Sequence, residues 1–172
     1  MRLAATDLEI EVREATSEDV PLLLSFIHAM AEVEKLEVAA TEETLQESLF
    51  GEDPAAHALL AFVDGVPIAY VVYCFTFATM IGKRVLWLDD LYVQQDHRSS
   101  GIGTALMAYL ADIAMRHKCG RFEWKVLDWN QPAIDFYAKL GAPMLDRWGL
   151  CRLEGEGIAR VAGMLKPVED GG

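Results

Sequence analysis

With 172 residues, of which 52% are hydrophobic, the chain favours a single domain with a sizeable core. Its 15 Lys and Arg against 27 Asp and Glu give a net charge of -12. That charge argues against nucleic-acid and anionic-membrane partners and favours a cationic substrate. Cys74, Cys119 and Cys151 show no paired spacing, and the opening MRLAATDLEIEV does not resemble a signal peptide. We therefore expect reduced thiols in a cytoplasmic protein.

Neither a metal site nor a membrane span is expected. The histidines are scattered along the chain, without the spacing that metal ligands show. The uncharged run from residue 65 to 82 contains Pro67 and several β-branched residues, which favours a buried strand over a spanning helix.

The first third of the chain predicts a strand followed by two helices. Residues 8–13 alternate apolar and charged side chains, as a half-buried strand does. Thr16 or Ser17 is expected to cap a helix that carries an apolar stripe. Thr41 is expected to open a second helix, which ends at Gly51.

Three strands are expected next, in an antiparallel meander. Residues 58–63 and 66–77 flank Asp64 and Gly65, a pair typical of a two-residue hairpin turn. The third strand is expected over residues 86–93, which are mostly apolar.

The remaining elements predict a strand-helix-strand crossover and a short tail. Apolar residues recur at helical spacing from Ile102, and a strand is expected over 122–127. A short helix should then run from Pro132 to Gly141, followed by a last strand at 150–153.

The segment RSSGIG at residues 98–103, between the third strand of the meander and the long helix, indicates an anion site. Unpaired N–H groups and the helix dipole attract phosphate oxygens there. A P-loop would require a G-K-[ST] step, and a dinucleotide fingerprint would require a third glycine where Leu106 stands. A dinucleotide site remains an alternative, because Glu123 lies about twenty residues on.

Two adjacent carboxylates, Asp89 and Asp90, interrupt the otherwise apolar strand before this loop. Burying a carboxylate is costly unless it is paired, so their presence indicates a function. An aspartate that merely caps loop amides at the strand end is the alternative.

The stretches LWLDDLYVQQDHRSSGIG (86–103) and RFEWKVLDWNQPAIDFYAKLGA (121–142) resemble the Gcn5-related N-acetyltransferases (GNAT), in particular their diamine and thialysine branch. The resemblance covers about residues 8–155. It implies the α/β GNAT fold, a mixed, mostly antiparallel sheet with helices on both faces. It also implies one domain over residues 1–172 and a homodimer.

The resemblance implies acetyl-CoA as co-substrate and no metal. It places the cofactor against the acceptor strand, which often carries a bulge in this family, against the glycine loop, and against the segment that ends at a tyrosine. The residues concerned are Leu91, Tyr92, Val93, Arg98, Ser99, Ser100, Gly101, Ile102, Gly103, Thr104, Asn130, Gln131, Pro132, Ala133 and Tyr137.

Two catalytic roles follow from the same resemblance. Asp89 occupies the position of a glutamate that removes the amine proton through water, and Tyr137 matches the tyrosine that protonates the departing thiolate. Tyr137 lies seven residues after Asn130, which places both on one face if a helix begins there. Packing alone for Tyr137 and a helix cap for Asn130 are the alternatives.

The acceptor amine site is expected to contain carboxylates, which suit a cation. Its residues by resemblance are Val33, Glu34, Asp89, Asp90, Glu123, Trp124 and Lys125. Asp90 is a candidate anchor for a distal ammonium, whereas Glu34 could equally belong to a solvated helix end. Two departures from the family are Met80, where a tryptophan is usual, and Lys125, which adds a positive charge.

The sequence thus predicts an acetyl-CoA-dependent N-acetyltransferase for a small cationic amine, such as a diamine or a lysine analogue. An enzyme of the same fold acting on protein or peptide amines is the first alternative. A CoA-binding regulatory module without turnover is the second.

Overall fold

One mixed sheet organises the structure, a computed structural model that describes residues 1–5, 8–145 and 149–165. Within these residues its strands lie side by side in sequence order. Every neighbouring pair is antiparallel except the last, which is parallel. The strands are β1 (Arg2–Ala5), β2 (Leu8–Glu14), β3 (His57–Val63), β4 (Val66–Ala78), β5 (Lys83–Val93) and β6 (Arg121–Trp124).

The helices connect these strands or follow them. They are α1 (Val20–Glu34), α2 (Glu42–Phe50), α3 (Ile102–Arg116), α4 (Gln131–Lys139) and α5 (Glu156–Ala162). Short 3-10 turns occur at Ser17–Asp19, Thr79–Ile81 and Gln95–His97. The chain forms two compact units, Met1–Lys125 and Val126–Gly172. The single domain expected from the sequence stays a prediction.

Local sequence signals explain the helix ends in the first unit. The Thr16 N–H donates to the Asp19 carboxylate at 2.7 Å, which closes the turn before α1. The Thr41 hydroxyl accepts from the Thr44 N–H at 3.2 Å and so caps α2, which ends before Gly51 as expected. Both predicted helices are confirmed.

The core lies on both faces of the sheet. In β4, Ile68, Ala69, Tyr70 and Val71 are all at most 1% exposed, so both faces of this strand are covered. On one face Tyr70 belongs to a buried cluster with Phe26 of α1. Helix α3 contacts β5 through its own buried stripe, so the predicted mixed α/β fold is confirmed.

The meander and the crossover match the sequence-based expectation. Asp64 and Gly65 join β3 to β4 with φ of 51° and 77°, the left-handed values of a type I′ hairpin turn. β5 and β6 are parallel and are connected through α3. The uncharged run at 65–82 forms β4 and a short turn, as predicted.

Three details differ from the sequence-based expectation. β1 was not predicted. The strand expected over 122–127 begins one residue earlier and ends at Trp124. The strand expected at 150–153 is wrong, since the structure places no strand there and α5 follows. Leu150 and Leu153 are 78% and 51% exposed, so neither side of this segment is buried as a strand face would be.

Candidate active site

A bulge in β5 separates the two adjacent aspartates. Leu88 is paired with Tyr73 of β4, and Asp90 with Val72, so Asp89 is an extra residue without a partner position. Asp89 is exposed and Asp90 is half-buried. The bulge that the resemblance implies is therefore present, and it gives the two neighbouring carboxylates different surroundings.

The β5–β6 ladder ends immediately before this bulge. Its last pair is Leu88 with Trp124, so the backbone of Leu91, Tyr92 and Val93 lies beyond the parallel pairing. Amides and carbonyls in that position suit hydrogen bonds to an extended, amide-containing ligand.

Asp90 accepts a hydrogen bond from a buried tyrosine. The Tyr70 hydroxyl lies 3.1 Å from Asp90 Oδ2 and 3.5 Å from the Met30 sulfur. Burial, and next the charge of Asp89, raise the pKa of Asp90 to about 6, although the bond from Tyr70 opposes the shift. Burial and Asp90 raise the pKa of Tyr70, so this hydroxyl keeps its proton.

Asp89 has an ammonium as its partner. Lys125 Nζ lies 3.2 Å from Asp89 Oδ1, and these side chains are 56% and 48% exposed. An ion pair this exposed contributes little to stability, because water screens it. At the end of α1, burial raises the pKa of Glu34, whereas the charge of Lys125 lowers it.

These contacts, together with the electrostatic interactions of Glu34 with Asp90 and Lys125, define a carboxylate cluster, namely Glu34, Asp89 and Asp90, with Lys125 beside it. Three carboxylates around one ammonium favour binding of a further cation. A carboxyl group with a pKa near 6 can also accept a proton near neutral pH and release it again. The arrangement therefore suits both recognition and deprotonation of an amine.

The other predicted acceptor residues have different surroundings. Val33 is 45% exposed in the last turn of α1. The Glu123 carboxylate accepts from Arg121 Nη1 at 3.4 Å, and the Trp124 ring meets Phe122 edge-on at 5.0 Å. A role of Val33, Glu123 and Trp124 in acceptor binding stays a prediction.

Sequence reasoning missed Tyr70 and Met30. A signal was present for Tyr70, because it lies within an apolar strand and a buried tyrosine hydroxyl usually has a hydrogen-bond partner. Which partner it has depends on the tertiary structure. Met30 carries no comparable signal.

The predicted anion loop is ordered by contacts within itself and with β5. Arg98 Nε donates to the Val93 carbonyl at 2.9 Å, and its guanidinium lies 5.5 Å from the centre of the Tyr92 ring. The Ser100 hydroxyl donates to the His97 carbonyl at 2.6 Å. Arg98 therefore ties the loop to the end of the strand.

The backbone conformation at the start of α3 is suited to binding an anion. Ser99 and Gly101 have φ of 63° and 85°, and α3 begins at Ile102. The first-turn N–H groups of a helix lack intrahelical acceptors, and those of Ile102, Gly103 and Thr104 can bind phosphate oxygens. The residues present thus fit the pyrophosphate of a CoA molecule.

The second unit contains the remaining predicted residues. Asn130 Oδ1 accepts from the Ala133 N–H at 3.3 Å and caps α4, so the helix-cap role that the sequence left open is observed. Gln131 and Pro132 form the exposed first turn. Tyr137 is half-buried, with its ring 5.1 Å from that of Phe136.

Within residues 1–5, 8–145 and 149–165 there is neither a grouped set of metal ligands nor a membrane-spanning helix. Among these residues, no three His, Cys, Asp or Glu side chains are grouped so that they could hold a metal ion. None of the helices found there has the length and apolar character needed to cross a membrane.

Comparison with known proteins identifies the family. The acetyltransferase (GNAT) family model matches residues 24–142. A thialysine N-epsilon-acetyltransferase from Sus scrofa is 36% identical over 165 residues, which cover 88% of this chain and 96% of the relative. An L-ornithine N5-acetyltransferase from Arabidopsis thaliana is 27% identical and covers 87% of this chain and 86% of the relative.

The fold is also similar to that of a solved structure. An integron cassette protein from V. cholerae superposes with a TM-score of 0.74 and is 26% identical in sequence. The match covers 89% of this chain and 97% of the cassette protein. GNAT acetyltransferases use acetyl-CoA as co-substrate. The chain therefore belongs to the acetyltransferase (GNAT) family and is an N-acetyltransferase.

Proposed function

We propose that this protein transfers the acetyl group of acetyl-CoA to a primary amine of a small cationic substrate, with thialysine-like or ornithine-like amino acids at least as good as polyamines. The observation that carries the proposal is the carboxylate cluster with Lys125 beside it. A homodimer, a cytoplasmic location and the lack of nucleic-acid or membrane partners stay predictions from the sequence.

The charges of the cluster match an amino acid with a second amine. Its ammonium groups would meet the carboxylates of Glu34 and Asp90, and its carboxylate would meet Lys125. A charge-assisted hydrogen bond contributes about 1.5 to 3 kcal/mol. Spermidine offers no carboxylate to Lys125. The named relatives support this choice, since thialysine and ornithine are both amino acids with a side-chain amine.

For acetyl-CoA we propose a backbone-lined site. The N–H groups of the loop and of the first turn of α3, residues 98–104, would bind the pyrophosphate. The backbone of residues 91–93 would pair with the pantetheine amides. By the resemblance, residues 130–133 are proposed as further cofactor-binding residues. The positive φ of Gly101 and the end of the β5–β6 ladder at Trp124 support these assignments.

The chemistry requires an amine that has lost a proton. An alkylammonium with a pKa near 10.4 is neutral in about one molecule in 2,500 at pH 7, a deficit of roughly 4 to 5 kcal/mol. A carboxylate of the cluster would accept this proton, and the resemblance proposes Asp89. Tyr137 would donate a proton to the departing thiolate, as the matching tyrosine of the family does.

A panel of acceptors assayed by release of the CoA thiol tests the proposal. We expect kcat/KM to be about tenfold to a hundredfold higher for amines with a second charge than for uncharged analogues of the same length. Thialysine and ornithine should equal or exceed spermidine. Efficient acetylation of a histone-like or ribosomal peptide, with small amines inert, would instead support a protein acetyltransferase. Binding of CoA without turnover of any amine would contradict catalysis.

A further inference from the structure

Building on the proposed amine acetylation, we propose that Asp90 accepts the proton from the acceptor ammonium and that the Tyr70 hydroxyl holds Asp90 in place for this step. The resemblance predicts the proton acceptor to be Asp89. Tyr70 would be a positioning residue, because it acts through Asp90. The geometry of the β5 bulge favours this division of roles.

The two aspartates differ in what surrounds them. Asp89 is exposed, and one of its carboxylate oxygens already accepts a hydrogen bond from the Lys125 ammonium at 3.2 Å. Asp90 is half-buried, and its described side-chain partner is the neutral hydroxyl of Tyr70. When two neighbouring carboxyl groups have such different environments, the less solvated one is the better proton acceptor near neutral pH.

Tyr70 is held rigidly enough to orient Asp90. Its side chain is fully buried, and its ring stacks on Phe26 with centroids 5.9 Å apart and planes 5° from parallel. The Tyr92 ring packs at 6.2 Å, and the Met30 sulfur lies 3.5 Å from the hydroxyl. The hydroxyl therefore has a fixed position, and its bond to Oδ2 fixes the orientation of the Asp90 carboxylate.

Charged and titratable groups from several elements act on Asp90. Glu34 at the end of α1 and Asp89 on β5 raise its pKa, and burial contributes most to the rise. Tyr70 on β4 and Lys125 after β6 lower its pKa. The combined effect leaves the pKa of Asp90 at about 6, where the carboxylate is ionised at neutral pH but can still take a proton.

The proposed step conserves atoms and charge. An N–H bond of the ammonium breaks, an O–H bond forms on Asp90, and the nitrogen keeps its electron pair. The neutral amine then attacks the thioester carbonyl carbon, so a C–N bond forms and the C–S bond breaks with its electron pair moving to sulfur. The nitrogen loses a second proton, which goes to sulfur through Tyr137, and Asp90 releases its proton to water.

This assignment predicts the shape of the pH profile. Because the ammonium form binds to an enzyme with ionised Asp90, kcat/KM should rise through about pH 6, the pKa of Asp90. It should then stay level, and fall when the free amine loses its proton near pH 10. Binding of neutral amine without a base would instead give a continuous rise toward pH 10.

We call the rise of kcat/KM near pH 6 the acid limb of the profile. Substitutions of the two residues that act on Asp90 should move this limb in opposite directions. Tyr70→Phe removes a hydrogen bond that lowers the pKa of Asp90, so the limb should move to higher pH. A shift of about one unit is expected, the scale of a hydrogen bond to a charged group. Asp89→Asn removes a charge that raises the pKa of Asp90, so the limb should move to lower pH.

The experiment measures kcat/KM from pH 5 to 10.5 for the wild type, Tyr70→Phe, Asp89→Asn and Asp90→Asn, at saturating acetyl-CoA. Tyr73→Phe is the matched control, because Tyr73 is buried on the same strand and is outside the proposed site. Its limb should coincide with that of the wild type. Asp90→Asn should abolish the limb and lower the plateau by about 10² or more, the usual scale for a positioned base.

Several results would overturn the assignment. Loss of the limb in Asp89→Asn with an unchanged limb in Asp90→Asn would return the role to Asp89. A Tyr70→Phe enzyme with lower kcat but an unmoved limb would make Tyr70 a packing residue only. Failure of the wild type to acetylate any amine would contradict the proposed function instead, so the two failures are distinguishable.

A second measurement does not depend on turnover. Carboxyl 13C NMR titration of the wild type and Tyr70→Phe should show the Asp90 resonance titrating near pH 6, and at higher pH in the variant. An Asp90 carboxyl that titrates below pH 4.5 in the wild type would overturn the proposal, even if the variants proved too unstable to assay.

Discussion

The anion loop before α3, residues 98–103, and the carboxylate cluster are suited to ligand charges of opposite sign, and they are built differently. The loop offers backbone N–H groups, and its conformation depends on left-handed φ values at Ser99 and Gly101. The cluster offers side chains that come from α1, β5 and the residue after β6, and one of them, Asp90, contacts Tyr70 of β4. A change in the backbone of the loop should therefore abolish acetyl-CoA binding. Single substitutions in the cluster should instead change the pH profile or the substrate preference by limited amounts.

The strongest test of this contrast is Gly101→Val. At φ of 85° a β-branched residue is strongly disfavoured, and its side chain would also obstruct the amides of the first turn of α3. We expect acetyl-CoA binding to be abolished, as measured by calorimetric titration. Gly103→Val should have the same result through obstruction alone, because Gly103 lies within the helix.

Gly65→Val is the control for backbone strain. Gly65 has a comparable φ of 77° in the β3–β4 turn, and among the described residues other than Gly65 and its two chain neighbours, no atom lies within 4 Å of where its Cβ would be. This variant should lose stability and still bind acetyl-CoA. If a folded Gly101→Val protein also binds normally, the cofactor is bound elsewhere.

Tyr137→Phe tests a residue outside both regions. Removing the hydroxyl should lower kcat by roughly 10²-fold while acetyl-CoA affinity stays unchanged, as expected for loss of a positioned proton donor. Single-turnover measurements would ensure that chemistry limits the rate. Tyr109→Phe is the control, because Tyr109 lies in α3 and has no proposed role. Equal rates for both variants and the wild type would leave Tyr137 as a packing residue.

The same contrast explains how much could be predicted from the sequence. Elements with local signals were predicted well, including the Thr41 cap, the Asp64-Gly65 turn and the loop before α3. Their conformations depend on the φ preferences and hydrogen bonds of a few adjacent residues. The fold class came from the resemblance to the GNAT family, and the order of these elements agrees with it.

Features that depend on distant residues could not be predicted in the same way. Tyr70 and Asp90 are 20 positions apart, Lys125 and Asp89 are 36 apart, and Tyr70 and Met30 are 40 apart. No local pattern encodes these contacts. The prediction of a strand at 150–153 was wrong for a related reason, because a short apolar segment forms a strand only where one of its faces packs against other residues.

Lys125→Met should have the smallest effect and should act on the cluster alone. The Lys125 side chain is 56% exposed, so its bond to a substrate carboxylate is partly screened, and we expect about a tenfold loss of kcat/KM for thialysine or ornithine. Diamines without a carboxylate should be unaffected or improve, because the ammonium that competes for the cluster is gone. Lys125 also lowers the pKa of Asp90, so the acid limb should move to higher pH in the variant.

Lys83→Met, at the exposed start of β5, is the matched control and should change neither the substrate preference nor the acid limb. In both variants, acetyl-CoA affinity should remain that of the wild type. An equal loss of kcat/KM for amino acids and for diamines in Lys125→Met would show that Lys125 does not recognise a substrate carboxylate.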